Sequence, residues 1–127
     1  MSERYLVDTD VLIEFLRGRS AAVRFLRGLR QPARLSAVTV AELSAGARDE
    51  DEQDQIDDLI HASEVLPVDE KTAMLGGRIR KDHRPRTGIG LPDALIAAAA
   101  ILTDSTLVTY DRKHFPMLDK VLVPDHD

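Results

Sequence analysis

Tyr5-Leu-Val-Asp8-Thr-Asp10-Val-Leu-Ile-Glu-Phe-Leu16 is the stretch that decides the fold. Tyr5–Val7 is a short apolar run that stops at an acid, and Val11–Leu16 then takes up helical spacing. A buried strand therefore turns almost directly into a helix. The same alternation continues outward. Gly18 breaks the first helix, Ser20 caps a second over Ala21–Leu29, and Pro32 separates it from a strand ending at Leu35–Ser36. Thr39-Val-Ala-Glu42 opens a helix to about Ala47, and Ile56–Ala62 is helical again. Glu64–Val68 is a third strand, broken by Pro67. Asp69 caps a helix that gives way to a loop at Arg84-Pro-Arg-Thr-Gly-Ile-Gly90. Pro92 sets the first turn of an Ala-rich helix through Leu102, Thr106–Thr109 is a fourth strand, and Val121–Val123 is a fifth. Strands alternating with helices predict an α/β domain with a short, mainly parallel sheet of four to five strands. With 127 residues, one domain over 1–127 is expected.

Bulk composition narrows the classes. The absence of cysteine excludes disulfides and thiolate zinc sites. No apolar run reaches a membrane span, and Met1–Arg4 is too polar to begin a signal peptide, so a soluble cytoplasmic protein is expected. The net charge is −5, but Asp49–Asp58 alone carries seven acids, leaving 15 acids against 17 basic residues elsewhere. An acidic segment of that kind is compatible with a basic substrate face on the same domain.

Four acids lie in apolar surroundings: Asp8 after Leu6-Val7, Glu42 between Val40-Ala41 and Leu43, Asp93 before Leu95-Ile96, and Asp111 after Leu107-Val108. Each has a structural explanation taken singly. Asp8 is a strand-end turn residue, Glu42 completes a capping box with Thr39, Asp93 complements a helix dipole, and Asp111 caps a turn at Arg112. Together they fall around the carboxyl edge of one sheet, where ligands of open α/β folds gather. Carboxylates crowded there repel one another, and a divalent cation offsets that cost. An all-oxygen donor set suits Mg²⁺ or Mn²⁺. His61, His83, His114 and His126 have no metal-ligand spacing and read as surface residues.

Asp8-Thr-Asp-Val-Leu-Ile13, Thr39-Val-Ala-Glu-Leu43, Leu91-Pro-Asp-Ala-Leu-Ile-Ala-Ala98 and Leu107-Val-Thr-Tyr-Asp111 resemble, in order and spacing, the motifs of PIN-domain nucleases, and among these the VapC toxins of bacterial toxin–antitoxin pairs. The resemblance covers residues 5 to about 115. It implies a three-layer α/β/α sandwich and a metal-dependent endoribonuclease that leaves a 5′-phosphate. It assigns metal-binding or catalytic roles to Asp8, Glu42, Asp93 and Asp111. Thr109 matches the hydroxyl residue that supports the last acid, Thr9 belongs to the first motif, and Asp10 is either a helix N-cap or an auxiliary polar contact. The resemblance further implies a VapB-like antitoxin and a homodimer.

RNA would need cationic contacts. Arg78, Arg80, Lys81, Arg84 and Arg86 precede the Asp93 motif, and Arg112 with Lys113 follows Asp111. Arg17, Arg24, Arg27, Arg30 and Arg34 are candidates for pairing with an acidic antitoxin segment, and Val11–Leu16 and Ala22–Leu29 for a dimer face. Two other classes remain open at this point. A haloacid-dehalogenase-like phosphatase would use Asp8 and Asp10, with Asp69-Glu-Lys71 as its later motif. A receiver-type signalling domain would use Asp69 as phosphoacceptor.

Overall fold

The computed structural model describes residues 3–127. The start of the polar Met1–Arg4 segment, at residues 1 and 2, lies outside them. The chain runs β1 (Tyr5–Val7), α1 (Thr9–Leu16), α2 (Ser20–Arg27), β2 (Arg34–Ser36), α3 (Ala37–Gly46), α4 (Glu50–His61), β3 (Glu64–Leu66), α5 (Glu70–Thr87), α6 (Leu91–Leu102), β4 (Thr106–Val108) and β5 (Val121–Leu122). A 3-10 turn, Arg112–His114, lies between β4 and β5. All strand pairs are parallel, in the order β3-β2-β1-β4-β5.

That order creates the crevice. From β1 the chain adds β2 and β3 outward on one side, then returns to the opposite side of β1 with β4. The loops leaving β1 and β4 therefore diverge, and the space between them is the topological switch point of the sheet.

Two-residue alternation sends neighbouring side chains to opposite faces. Leu6 and Leu107 point to one face with Ile79, Ile96 and Phe115, beneath α5 and α6. Val7, Leu35 and Val108 point to the other with Val11, Leu12, Leu43 and Ile56, beneath α1, α3 and α4. The result is the three-layer α/β/α sandwich. α5 and α6 pack so closely at Gly76 that a Cβ there would lie 2.6 Å from Leu95 Cδ2 and 3.1 Å from Leu95 Cα.

Four expectations change. The Arg84–Gly90 segment is not a loop from its start, because α5 continues through Pro85 to Thr87 and stops at Gly88 (φ 72°). The Thr87 hydroxyl donates to the His83 carbonyl at 2.9 Å and helps hold that last turn. α3 begins two residues earlier than expected, because the Ser36 side chain accepts from the Val38 amide. Thr39 is thus inside the helix, and no Thr39–Glu42 capping box exists. The acidic stretch is itself helical from Glu50, with Asp49 as N-cap and three acids in the positive first turn. Finally, Arg34 is not free for a partner: it pairs with Glu64 at 3.1 Å and donates to the Thr103 carbonyl.

Candidate active site

Asp8 leaves β1 and caps α1. Its carboxylate accepts from the Thr9 amide at 2.8 Å and from the Thr109 hydroxyl at 2.8 Å. Only 6% of Asp8 is exposed. Burial first, then the charges of Asp10 and Asp93, push its pKa up to about 7. Asp10 is in the first turn of α1, so it is not the N-cap. It accepts from the Tyr110 amide at 3.2 Å, with Oδ1 buried and without a hydrogen-bond partner. Burial raises its pKa as well.

Thr109, fully buried, joins the two central strands. Its hydroxyl donates to Asp8 and accepts from the Asp111 amide at 3.0 Å. It therefore supports both the first acid and the last. Thr9 links Asp8 to Glu42: its hydroxyl is 2.7 Å from Glu42 Oε1 and 3.0 Å from the buried Thr39 hydroxyl. Thr9 has one proton to give and the carboxylate is the stronger acceptor, so Thr39 supplies the proton of the second bond. Glu42 is otherwise exposed at the mouth of the crevice.

Asp93 stands in the first turn of α6, which starts after Gly90 with Pro92. It is half-buried. Burial raises its pKa, Glu42 and Asp111 add to the rise, and His114 opposes it. Asp111 occupies the cap position before the 3-10 turn but makes no capping hydrogen bond. Its Oδ2 instead lies 2.7 Å from His114 Nδ1, which is also 3.5 Å from Asp93 Oδ2. One ligand atom from each of Asp93, Asp111 and His114 falls within a 4.8 Å group.

His114 corrects the reading of all four histidines as surface residues. His61 and His126 are exposed and His83 and His114 are partly buried, and His114 has its Nδ1 turned inward. The Asp111-x-x-His114 spacing, one helical turn, was the signal available in the sequence. Of the proposed RNA contacts, Lys81, Arg84, Arg86 and Arg112 are exposed and Arg80 is partly buried. Among the described residues the four on α5 make no ion pair, and Arg112 reaches the Val121 carbonyl at 3.5 Å. Asp69 is the N-cap of α5, bonded to the Thr72 amide and hydroxyl and remote from the switch point at the end of edge strand β3. That position removes both the phosphatase and the receiver readings.

Crowded carboxylates of raised pKa, a buried Asp10 oxygen without a donor, and an inward imidazole are a donor set that fits a divalent cation.

The chain belongs to the PIN-domain family, whose model matches residues 5–121. It is similar to Ribonuclease VapC10 of Mycobacterium tuberculosis, 39% identical over 122 residues that cover 94% of this chain and 91% of that relative. Ribonuclease VapC19 of the same organism is 35% identical over 123 residues, covering 94% and 98%. Among solved structures, VapBC2 from Rickettsia felis bound to a DNA fragment from their promoter superposes with a TM-score of 0.79 at 25% identity, covering 95% of this chain and 98% of that one.

Proposed function

We infer that this chain is a VapC-type toxin, a metal-dependent endoribonuclease that hydrolyses RNA phosphodiester bonds and arrests growth until an antitoxin neutralises it. The observation that carries the reading is the convergence of Asp8, Asp93, Asp111 and Glu42 on the switch point between β1 and β4, in a family whose similar members are named ribonucleases.

A divalent cation, Mg²⁺ or Mn²⁺, supplies Lewis-acid polarisation of the scissile phosphate and a water of lowered pKa. Asp93 and Asp111 would hold it, with Asp8 completing the negative field from the buried side. Glu42, fixed by Thr9 and open to the crevice, orients the attacking water and takes up its proton. Arg84, Arg86, Lys81 and Arg112 contact the RNA backbone. The reading also assigns a VapB-like antitoxin as partner, supported by structural neighbours titled VapBC2 and a toxin–antitoxin complex from Klebsiella pneumoniae, and a homodimer in a bacterial cytoplasm. No helix among the described residues is long and apolar enough to cross a membrane.

The test is to express the protein and map new 5′ ends in cellular RNA, with Asp8→Asn as control. Growth arrest with discrete 5′-phosphate ends, absent in the control, is the expected result. Cleavage that persists in excess chelator, or in Asp8→Asn, would overturn the reading.

A further inference from the structure

We propose that His114 Nδ1 is itself a metal ligand, forming with Asp93 and Asp111 a mixed nitrogen–oxygen set that makes this centre select first-row transition-metal dications over Mg²⁺. The inference rests on the metal-dependent reading above and specifies its ion.

The contacts around Nδ1 carry it. An imidazole nitrogen and a carboxylate oxygen 2.7 Å apart repel unless a proton or a cation lies between them. Nδ1 is buried and has no well-aligned acceptor, although carboxylate oxygens of both Asp111 and Asp93 lie within ion-pair range of it. A second carboxylate oxygen, from Asp93, faces the same nitrogen at 3.5 Å. Three donor atoms thus converge within 4.8 Å, and one shared cation satisfies all of them. The local fold sets this up: the 3-10 turn places residue 114 one turn beyond residue 111, and fully buried Phe115 anchors the turn in the core beneath α6.

The choice of ion follows from the nitrogen. Mg²⁺ prefers oxygen ligands and keeps its waters, whereas Mn²⁺ and the later divalent metals bind imidazole increasingly well. A centre of carboxylates alone would have no such preference built into its protein ligands.

The experiment uses the whole chain, stripped with chelator and loaded with Mn²⁺ in the absence of RNA. Pulsed electron paramagnetic resonance on the bound Mn²⁺ reports directly coordinated ¹⁴N. The wild-type protein is expected to give nitrogen modulation, and His114→Ala to lose it. By calorimetry, His114→Ala should bind Mn²⁺ about 10-fold or more weakly while Mg²⁺ affinity changes much less. Wild-type protein that binds no Mn²⁺, or binds it without nitrogen modulation, overturns the inference, and that readout does not depend on the variant folding. Modulation that persists in His114→Ala overturns it too. RNA cleavage assayed in parallel separates the two readings: cleavage without a nitrogen signal keeps the ribonuclease and removes His114, and a nitrogen signal without cleavage does the reverse.

Discussion

Thr109 gives its hydroxyl proton to Asp8 Oδ2 at 2.8 Å, across 101 residues of sequence and between the two strands that flank the crevice. The Thr109 hydroxyl oxygen in turn accepts from the Asp111 amide at 3.0 Å. One buried hydroxyl therefore fixes the first and last acids relative to each other.

Thr109→Val removes both bonds while keeping the shape. Cleavage is expected to fall about 10- to 100-fold, as for loss of a group that orients metal ligands. Stability should drop by about 1–3 kcal/mol, because the Asp111 amide and Asp8 lose partners in a dry site. Thr109→Ser should retain most of both. Cleavage kinetics and denaturant melts of the two variants check this, and equal damage by serine would refute the hydrogen-bond account.

Asp8 makes the metal-free protein lose stability as pH rises. In the native state its proton is held up to about pH 7, whereas the unfolded chain releases it near the ordinary value of 3.8. Between those values the native state binds more protons, so unfolding free energy declines across that window, by a contribution on the order of 4 kcal/mol. Asp10 and Asp93, also raised, add in the same direction. Melts in chelator at pH 5.5 and pH 8 should show the decline. Asp8→Asn should flatten it, and be more stable than wild type at pH 8 while inactive. An unchanged slope in Asp8→Asn would contradict the assignment.

Glu42 depends on Thr9 and Thr39 for its position, since its own residue is exposed. Thr9→Val should lower kcat about 10-fold with little change in KM. Thr39→Val, which removes the relayed bond, should have a smaller effect in the same direction. Single-turnover kinetics on a short RNA would distinguish this from a binding defect.

The amount of this site that could be read in the sequence varied with the range of the interaction. Strand ends, the Asp93 helix start and the order of the acids all come from local patterns, and the switch-point geometry follows once the sheet is parallel. His114 has only the Asp111-x-x-His114 spacing to point to it, because its role depends on a 3-10 turn that no apolar periodicity announces. Thr39 reads as a cap because Thr39-x-x-Glu42 has capping-box spacing, yet Ser36 is the N-cap and places Thr39 inside α3. Pro85 suggested a loop, yet packing of α5 along α6 outweighs the one hydrogen bond it costs.

That packing is vulnerable at Gly76. A methyl there would meet Leu95 at its backbone as well as its side chain, so Gly76→Ala should destabilise the fold by about 1–3 kcal/mol despite the higher helix propensity of alanine. Leu95→Ala in the same chain should relieve only the side-chain part. A double-mutant cycle of thermal melts measures it.

Arg84 and Arg86 stand on the last helical turn of α5, exposed and among the described residues free of ion pairs. Replacing either by alanine should weaken RNA binding without changing the cleavage position, and should reduce the slope of log affinity against log salt by roughly 0.7 per residue. Binding of inactive Asp8→Asn to RNA across a salt series is the measurement. Slopes equal to the parent would place the RNA elsewhere.

The strand order has a consequence for synthesis. β1 is made first but gains its second neighbour only when β4 leaves the ribosome, about a hundred residues later, and Asp111 arrives with it. Until then Asp8 has no Thr109 to hold it and no Asp111 or His114 across the crevice. A nascent chain therefore carries the first half of a nuclease without its chemistry. The site is completed only near the end of synthesis, by topology alone.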